Sequence, residues 1–121
     1  MEKTQSQKKY DLEERTLQFA RRVRLFTAKL NKTTSSLEDG KQLIRSSGSV
    51  GANYIEANEA LSKKDFIMRI KICRKEAKES RYWLRLLSTP QDSELEKERT
   101  KLENEADELL RNFVSILQKS Q

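Results

Sequence analysis

A chain of 121 residues with 25 Lys+Arg against 19 Asp+Glu and no His carries a net charge of +6, and its length suits one domain. The missing His excludes Ser-His-Asp and Cys-His catalysis, His-ligated zinc and a His-ligated di-iron site, and the single Cys excludes a disulfide framework, a CxxC pair and a four-Cys metal site. Apolar residues make up 35% and charged residues 36%, a balance that leans towards disorder, but only three Gly and one Pro interrupt the chain and the apolar positions are periodic, so a thin-cored helical bundle completed by oligomerisation is expected.

Residues 1–9 read as a flexible, polar, lysine-dotted tail. The tail has no apolar core of a signal peptide, and no run approaches the roughly 20 apolar residues of a membrane span, so a cytoplasmic location is expected. The bundle domain is expected over 10–121. Helix one starts near Tyr10, and Leu12, Thr16, Phe19, Val23, Phe26 and Leu30 form a heptad-like seam whose one polar member is Thr16. Asp11, Glu13 and Glu14 are expected in its first turn, where negative charge suits the helix dipole.

The loop Asn31–Ser36 ends this helix, and Ser35 or Ser36 is the expected cap of helix two, about Leu37 to Ala60. Helix two contains Gly40, Gly48 and Gly51, each worth up to about 1 kcal/mol less than Ala in a helix interior. A kink is one explanation. Close approach of a neighbouring helix is the favoured one, because Gly40, Ser47 and Gly51 repeat near helical spacing and Ile44 and Tyr54 continue that face.

Ser62 with Asp65 starts helix three, about Lys63 to Leu87, and Thr89-Pro90 stops it. Ser93 with Glu96 forms a capping box for helix four, about Glu94 to Lys119, whose apolar face is Leu95, Leu102, Ala106, Leu109, Phe113 and Ile116. Four helices with short connections predict an all-α, antiparallel up-down-up-down four-helix bundle.

Helix three carries two apolar stripes. Phe66, Ile70, Cys73, Ala77, Leu84 and Leu87 should face the core, while Met68, Ile72, Trp83 and Leu86 lie a quarter to a third of a turn away and are the expected oligomer interface. The remaining arc is basic. Lys71, Arg74, Lys78, Arg81 and Arg85 step by three and four, with Lys63, Lys64 and Lys75 nearby, and Arg15, Arg22 and Lys29 on helix one, spaced by seven, extend the surface. Residues 61–90 hold 9 basic and 3 acidic groups, and residues 91–121 hold 5 and 8. A basic stripe on a rigid helix is a candidate phosphate-binding surface, and the alternative is a solvated face partly neutralised by the acidic helix four.

No catalytic residue emerges. Glu56, Glu59, Glu76 and Glu79 suggest at most an all-carboxylate Mg2+ or Ca2+ site, and pairing with Arg or Lys is expected instead. Cys73 sits on the apolar stripe as a small hydrophobe. Ser46, Ser47 and Ser49 have no His base and no SxxK spacing. Asn53 is expected to hydrogen-bond to a neighbouring backbone group or to Glu56.

The run Arg45-Ser46-Ser47-Gly48-Ser49-Val50-Gly51-Ala52-Asn53-Tyr54-Ile55-Glu56 resembles the signature R-x-x-x-S-x-x-x-N-I-A-E-G of the four-helix bundle protein family. That family is also called the intervening-sequence protein of bacterial large-subunit rRNA genes. Ser62-Lys63-Lys64-Asp65-Phe66 matches the family's Ser-Lys-Lys-acidic-Phe helix start, and Glu79 with Leu84 matches its third helix. Here Tyr54-Ile55-Glu56-Ala57 replaces Ile-Ala-Glu-Gly, and Gly51 stands where the family usually has Pro. The resemblance assigns Arg45, Ser49, Asn53, Glu56 and Glu79 to the structural motif. It implies a homopentamer similar to the accessory variability protein of diversity-generating retroelements, a basic partner of a reverse transcriptase that binds nucleic acid. It implies neither enzymatic activity nor a cofactor. The expectation is therefore an accessory protein binding RNA or DNA, with a protein–protein scaffold that docks an acidic partner as the rival.

Overall fold

The computed structural model describes residues 5–120, with side chains from Leu12 onward; residues 1–4 of the expected tail lie outside the described residues. The described chain forms four helices, α1 Gln5–Ala28, α2 Thr34–Asn58, α3 Lys63–Leu86 and α4 Glu94–Ser120. Successive helices are neighbours, and α1 meets α4 to close a square whose diagonal pairs stay farther apart. Among the described residues no helix is long and apolar enough to cross a membrane.

The seams explain the packing. Thr16, Phe19, Val23, Phe26 and Leu30 of the first seam are buried, and Leu12 packs partly against them. The core stripe of α3 is buried from Ile70 to Leu87, with Phe66 packed at its edge. On α4, Leu102, Ala106, Leu109 and Phe113 are fully buried, Leu95 and Ile116 flank them, and Leu117 joins the core. The polar exception, Thr16, is satisfied within its own helix, its hydroxyl donating to the Leu12 carbonyl at 2.8 Å. A buried hydroxyl bonded in this way stays cheap in a helix interior.

Helix boundaries shift where local chemistry competes. The first helix begins at Gln5 instead of Tyr10, so its first turn holds no acidic residue, and Asp11, Glu13 and Glu14 lie deeper in the helix. The cap of α2 is Thr33, not Ser35 or Ser36. Its hydroxyl accepts from Ser36 N–H at 3.1 Å, while Ser36 Oγ accepts from Thr33 N–H at 3.0 Å. Thr33 takes the extended backbone of a cap, φ −109° and ψ 166°, and Ser36 completes the reciprocal pair in place of the usual Glu, although Ser35 with Glu38 offers the commoner spacing. Ser62 caps α3 as expected, accepting from Asp65 N–H at 3.0 Å.

The expected box at α4 is half made. Ser93 Oγ accepts from Glu96 N–H at 3.0 Å, but Ser93 N–H donates to the Pro90 carbonyl. The Glu96 carboxylate turns to Arg99 instead and also accepts from the Thr89 hydroxyl. Arg99, and then Thr89, hold that carboxyl down at about pKa 2. Arg99 also donates to the Leu84 carbonyl at 3.2 Å, satisfying one of the acceptors left open at the end of α3.

The second helix runs through all three glycines without a break. They face α1: a Cβ on Gly51 would lie 2.9 Å from Thr16 Oγ1, one on Gly48 3.4 Å from the Arg24 guanidinium, and one on Gly40 3.9 Å from Thr27. Ser47 is buried on the same face. The small residues thus permit close helix approach. The other side of α2 meets α3 through a buried pair of hydroxyls, Ser46 and Ser80, 2.8 Å apart.

Cys73 is buried against α2, its thiol directed at the Val50 carbonyl at 3.5 Å. Burial pushes its pKa up to about 12. The thiolate is the reactive form, so the folded protein should resist a thiol-specific disulfide reagent at pH 8 over hours, and the thiol should titrate at once in denaturant. Rapid labelling of the native chain would contradict this packing.

Candidate nucleic-acid interface

The sequence groups α3's cations into one surface; the structure sorts them by partner. Arg81 donates to Asp107 at 2.5 Å and Arg85 to Glu103 at 3.1 Å, both on α4. Across the other side of α4, Arg15 reaches Glu105 at 2.7 Å and Glu108 at 3.1 Å, and Arg22 reaches Glu98 at 3.4 Å. The hydrogen bond to Glu105 is the main reason that the Arg15 pKa rises further. The acidic fourth helix therefore lies between two basic helices and draws arginines from both. Pairs of this kind, which keep partial access to solvent, contribute little each, but they consume charge that the linear sequence leaves apparently free.

Lys63, Lys64, Lys71, Arg74, Lys75 and Lys78 are exposed and make no ion pair or hydrogen bond with a described residue. At 100° per residue, Lys64, Lys71, Lys75 and Lys78 point directly away from the core, and Arg74 lies towards α4. A hollow of about 740 Å³ at the start of α3 is lined by Ser62, Lys63, Lys64, Asp65, Ile67, Met68 and Lys71. The positive end of the α3 dipole lies there as well.

The second apolar stripe borders the lysines on their α2 side, and its Met68 also lines the hollow. Met68 and Leu86 are 49% and 48% exposed. Ile72 and Trp83 are only partly exposed, and Trp83 packs against the chain's own core. The Trp83 indole N–H is buried with no acceptor among the described residues.

The motif residues form an α2–α3 clamp. Arg45 donates to Glu76 at 2.9 Å and to Glu79 at 2.8 Å, and Glu76 is 3% exposed. The hydrogen bond that Arg45 donates to Glu79 leads the rise in the Arg45 pKa. Asn53 donates to the Ser49 carbonyl at 2.9 Å and to Ser49 Oγ at 3.0 Å, and its own carbonyl accepts from Arg69 at 3.1 Å. Asn53 thus bonds to neighbouring backbone, as one of the two expected options has it, and not to Glu56. Glu56 is exposed on α2 and Glu59 is exposed at its C-terminal cap. The four glutamates therefore do not converge, and among the described residues no three metal-ligating side chains cluster.

Sequence reasoning missed three partners. Arg99 was legible through its i−3 and i+4 glutamates. Arg69 and the Ser46–Ser80 pair were not, since their partners are distant in the chain.

The 23S rRNA-intervening sequence protein family matches over residues 8–115. No curated protein matches the chain. A crystal structure of a protein with unknown function from the S23 ribosomal protein family of Bacteroides thetaiotaomicron is similar, with 32% identity and a TM-score of 0.72, over 88% of this chain and 97% of that one. With four helices in the same arrangement and a family match across nearly its whole length, the chain belongs to the 23S rRNA-intervening sequence protein family.

Proposed function

We propose that this protein is a non-enzymatic, homopentameric accessory protein that binds structured RNA or DNA by its phosphates along the outer face of α3. The sorting of cations carries this reading. The arginines Arg15, Arg22, Arg81 and Arg85 are engaged within the bundle, whereas five lysines and Arg74 are left to solvent. Arginine's planar fork suits carboxylates, and a lysine ammonium acts as a flexible, hydrated point charge. A row from Lys63 to Lys78 extends about 22 Å along the helix, a length that suits a phosphate backbone better than one small anion. Binding of this kind is weakly sequence-specific and steeply salt-dependent.

The flank of Met68, Ile72, Trp83 and Leu86 supports self-association. A closed ring would repeat the lysine row on every subunit and strengthen binding by avidity. The family's name points to 23S rRNA and makes structured RNA the first ligand to try. The resemblance to retroelement accessory proteins makes a reverse transcriptase the protein partner to try.

A salt titration against a structured RNA tests the reading. Affinity should fall steeply between low and moderate salt, and Arg74→Glu with Lys78→Glu should weaken every sequence alike while lowering the salt slope by about two. Flat affinity across that range, or no binding, overturns it. Co-purification with an acidic polypeptide and no nucleic acid would instead favour the scaffold. Light scattering should give five times the chain mass of 14.2 kDa, and a monomer would remove both the pentamer and the role of the apolar flank.

A further inference from the structure

The lysine row ends on an aromatic ring. Lys71, Lys75, Lys78 and Tyr82 are spaced by four, three and four residues, so they share one face of α3. Tyr82 lies about 6 Å beyond Lys78 along the axis. It is 58% exposed, and its hydroxyl makes no hydrogen bond with a described residue. Its one aromatic contact among the described residues is Trp83, whose ring meets it edge-on with centroids 5.1 Å apart and planes at 77°. An edge-to-face contact covers at most one face of the ring, and Tyr82 keeps 58% of its surface in solvent.

We propose that Tyr82 is a base-stacking platform at the end of the lysine row, so that this surface prefers unpaired nucleotides of RNA to duplex. The inference rests on the nucleic-acid reading above and deepens it. Phosphates at Lys71, Lys75 and Lys78 would bring a strand across Tyr82, and an unpaired base can lay its face on the ring. In a duplex the base faces are hidden within the stack, so only the phosphate contacts remain. Stacking on an aromatic side chain tolerates any base, which agrees with an interface built from point charges. A docked acidic peptide would use the lysines but would have no flat π-face for an exposed tyrosine.

The test compares wild type, Tyr82→Phe and Tyr82→Ala by fluorescence anisotropy on the full chain. The probes are a labelled, non-self-complementary 12-nucleotide RNA, the same strand annealed to its complement, and a labelled oligoglutamate. Wild type should bind the single strand more tightly than the duplex. Tyr82→Ala should lose tenfold or more on the single strand and stay within about twofold on the duplex. Tyr82→Phe should keep wild-type affinity, since it retains the ring. Trp83, the one tryptophan of the chain, should report the single strand by a change in emission that Tyr82→Ala reduces. If wild type binds both nucleic acids and Tyr82→Ala leaves both unchanged or weakens both equally, stacking is overturned and phosphate binding stands. If wild type binds neither, both readings fall. Oligoglutamate binding that is as tight and as dependent on Tyr82 would overturn base stacking in favour of a peptide.

Discussion

Gly51→Val should destabilise the chain by about 3 kcal/mol, near the upper end of the range for overpacking a tight contact. The added Cβ would meet Thr16 Oγ1 at 2.9 Å and Thr16 Cβ at 3.2 Å. Thr16 cannot simply turn away. It is buried, and its hydroxyl is tied to the Leu12 carbonyl. The helix-propensity gain of replacing Gly, up to about 1 kcal/mol, offsets only part of the cost. Thr16→Ala added to Gly51→Val should recover part of the loss, because it removes the nearer atom. Gly40→Ala is the contrasting case. Its Cβ would make an ordinary 3.9 Å contact with Thr27, so the variant should be stabilised by up to about 1 kcal/mol. Chemical denaturation of the four proteins checks the set, and a Gly51→Val chain as stable as wild type would show that α1 and α2 are not held this close.

Arg45→Met should cost about 2–3 kcal/mol. The substitution keeps much of the aliphatic stem but leaves the buried Glu76 carboxylate without its guanidinium, and an unpaired buried charge is among the more damaging lesions in a fold. Half of the Arg45 side chain is exposed, so water can reach the gap and the cost stays below the full penalty of a sealed pair. At about 4 °C per kcal/mol, the midpoint should fall by roughly 10 °C. Arg45→Met with Glu76→Leu should restore most of the loss, since removing both partners removes the uncompensated charge. Were the single variant as stable as wild type, the clamp between α2 and α3 would be structurally idle. These outcomes also separate stability from binding, because neither residue belongs to the lysine row.

The motif positions illustrate how a family signature becomes physics. Arg45, Ser49 and Asn53 lie on the α3-facing side of α2, where Arg45 grips Glu76 and Glu79, and Asn53 joins Ser49 to Arg69. Glu76 is the buried acceptor of this clamp, and the motif reading names only Glu79. Glu56 takes no part in these contacts.

Periodicity alone determined much of this protein. The four seams and the close contact at Gly51 are written in residues three and four apart, because a helix brings those positions to one face, and the stops are written locally in the loop-forming run from Asn31 and in Thr89-Pro90. The concentration of positive charge on α3 and negative charge on α4 is likewise a property of the sequence. Tertiary structure decided which charges remain. Arg81 and Asp107, Arg85 and Glu103, and Arg15 and Glu105 are 26, 18 and 90 residues apart, and no local spacing predicts such pairs. They form because α4 closes the square between α3 and α1, where its acids meet arginines from both sides. The same packing turns Lys64, Lys71, Lys75 and Lys78 outward and leaves Tyr82 open beside them, so a broad basic stripe becomes a narrow lysine row ending in one aromatic ring.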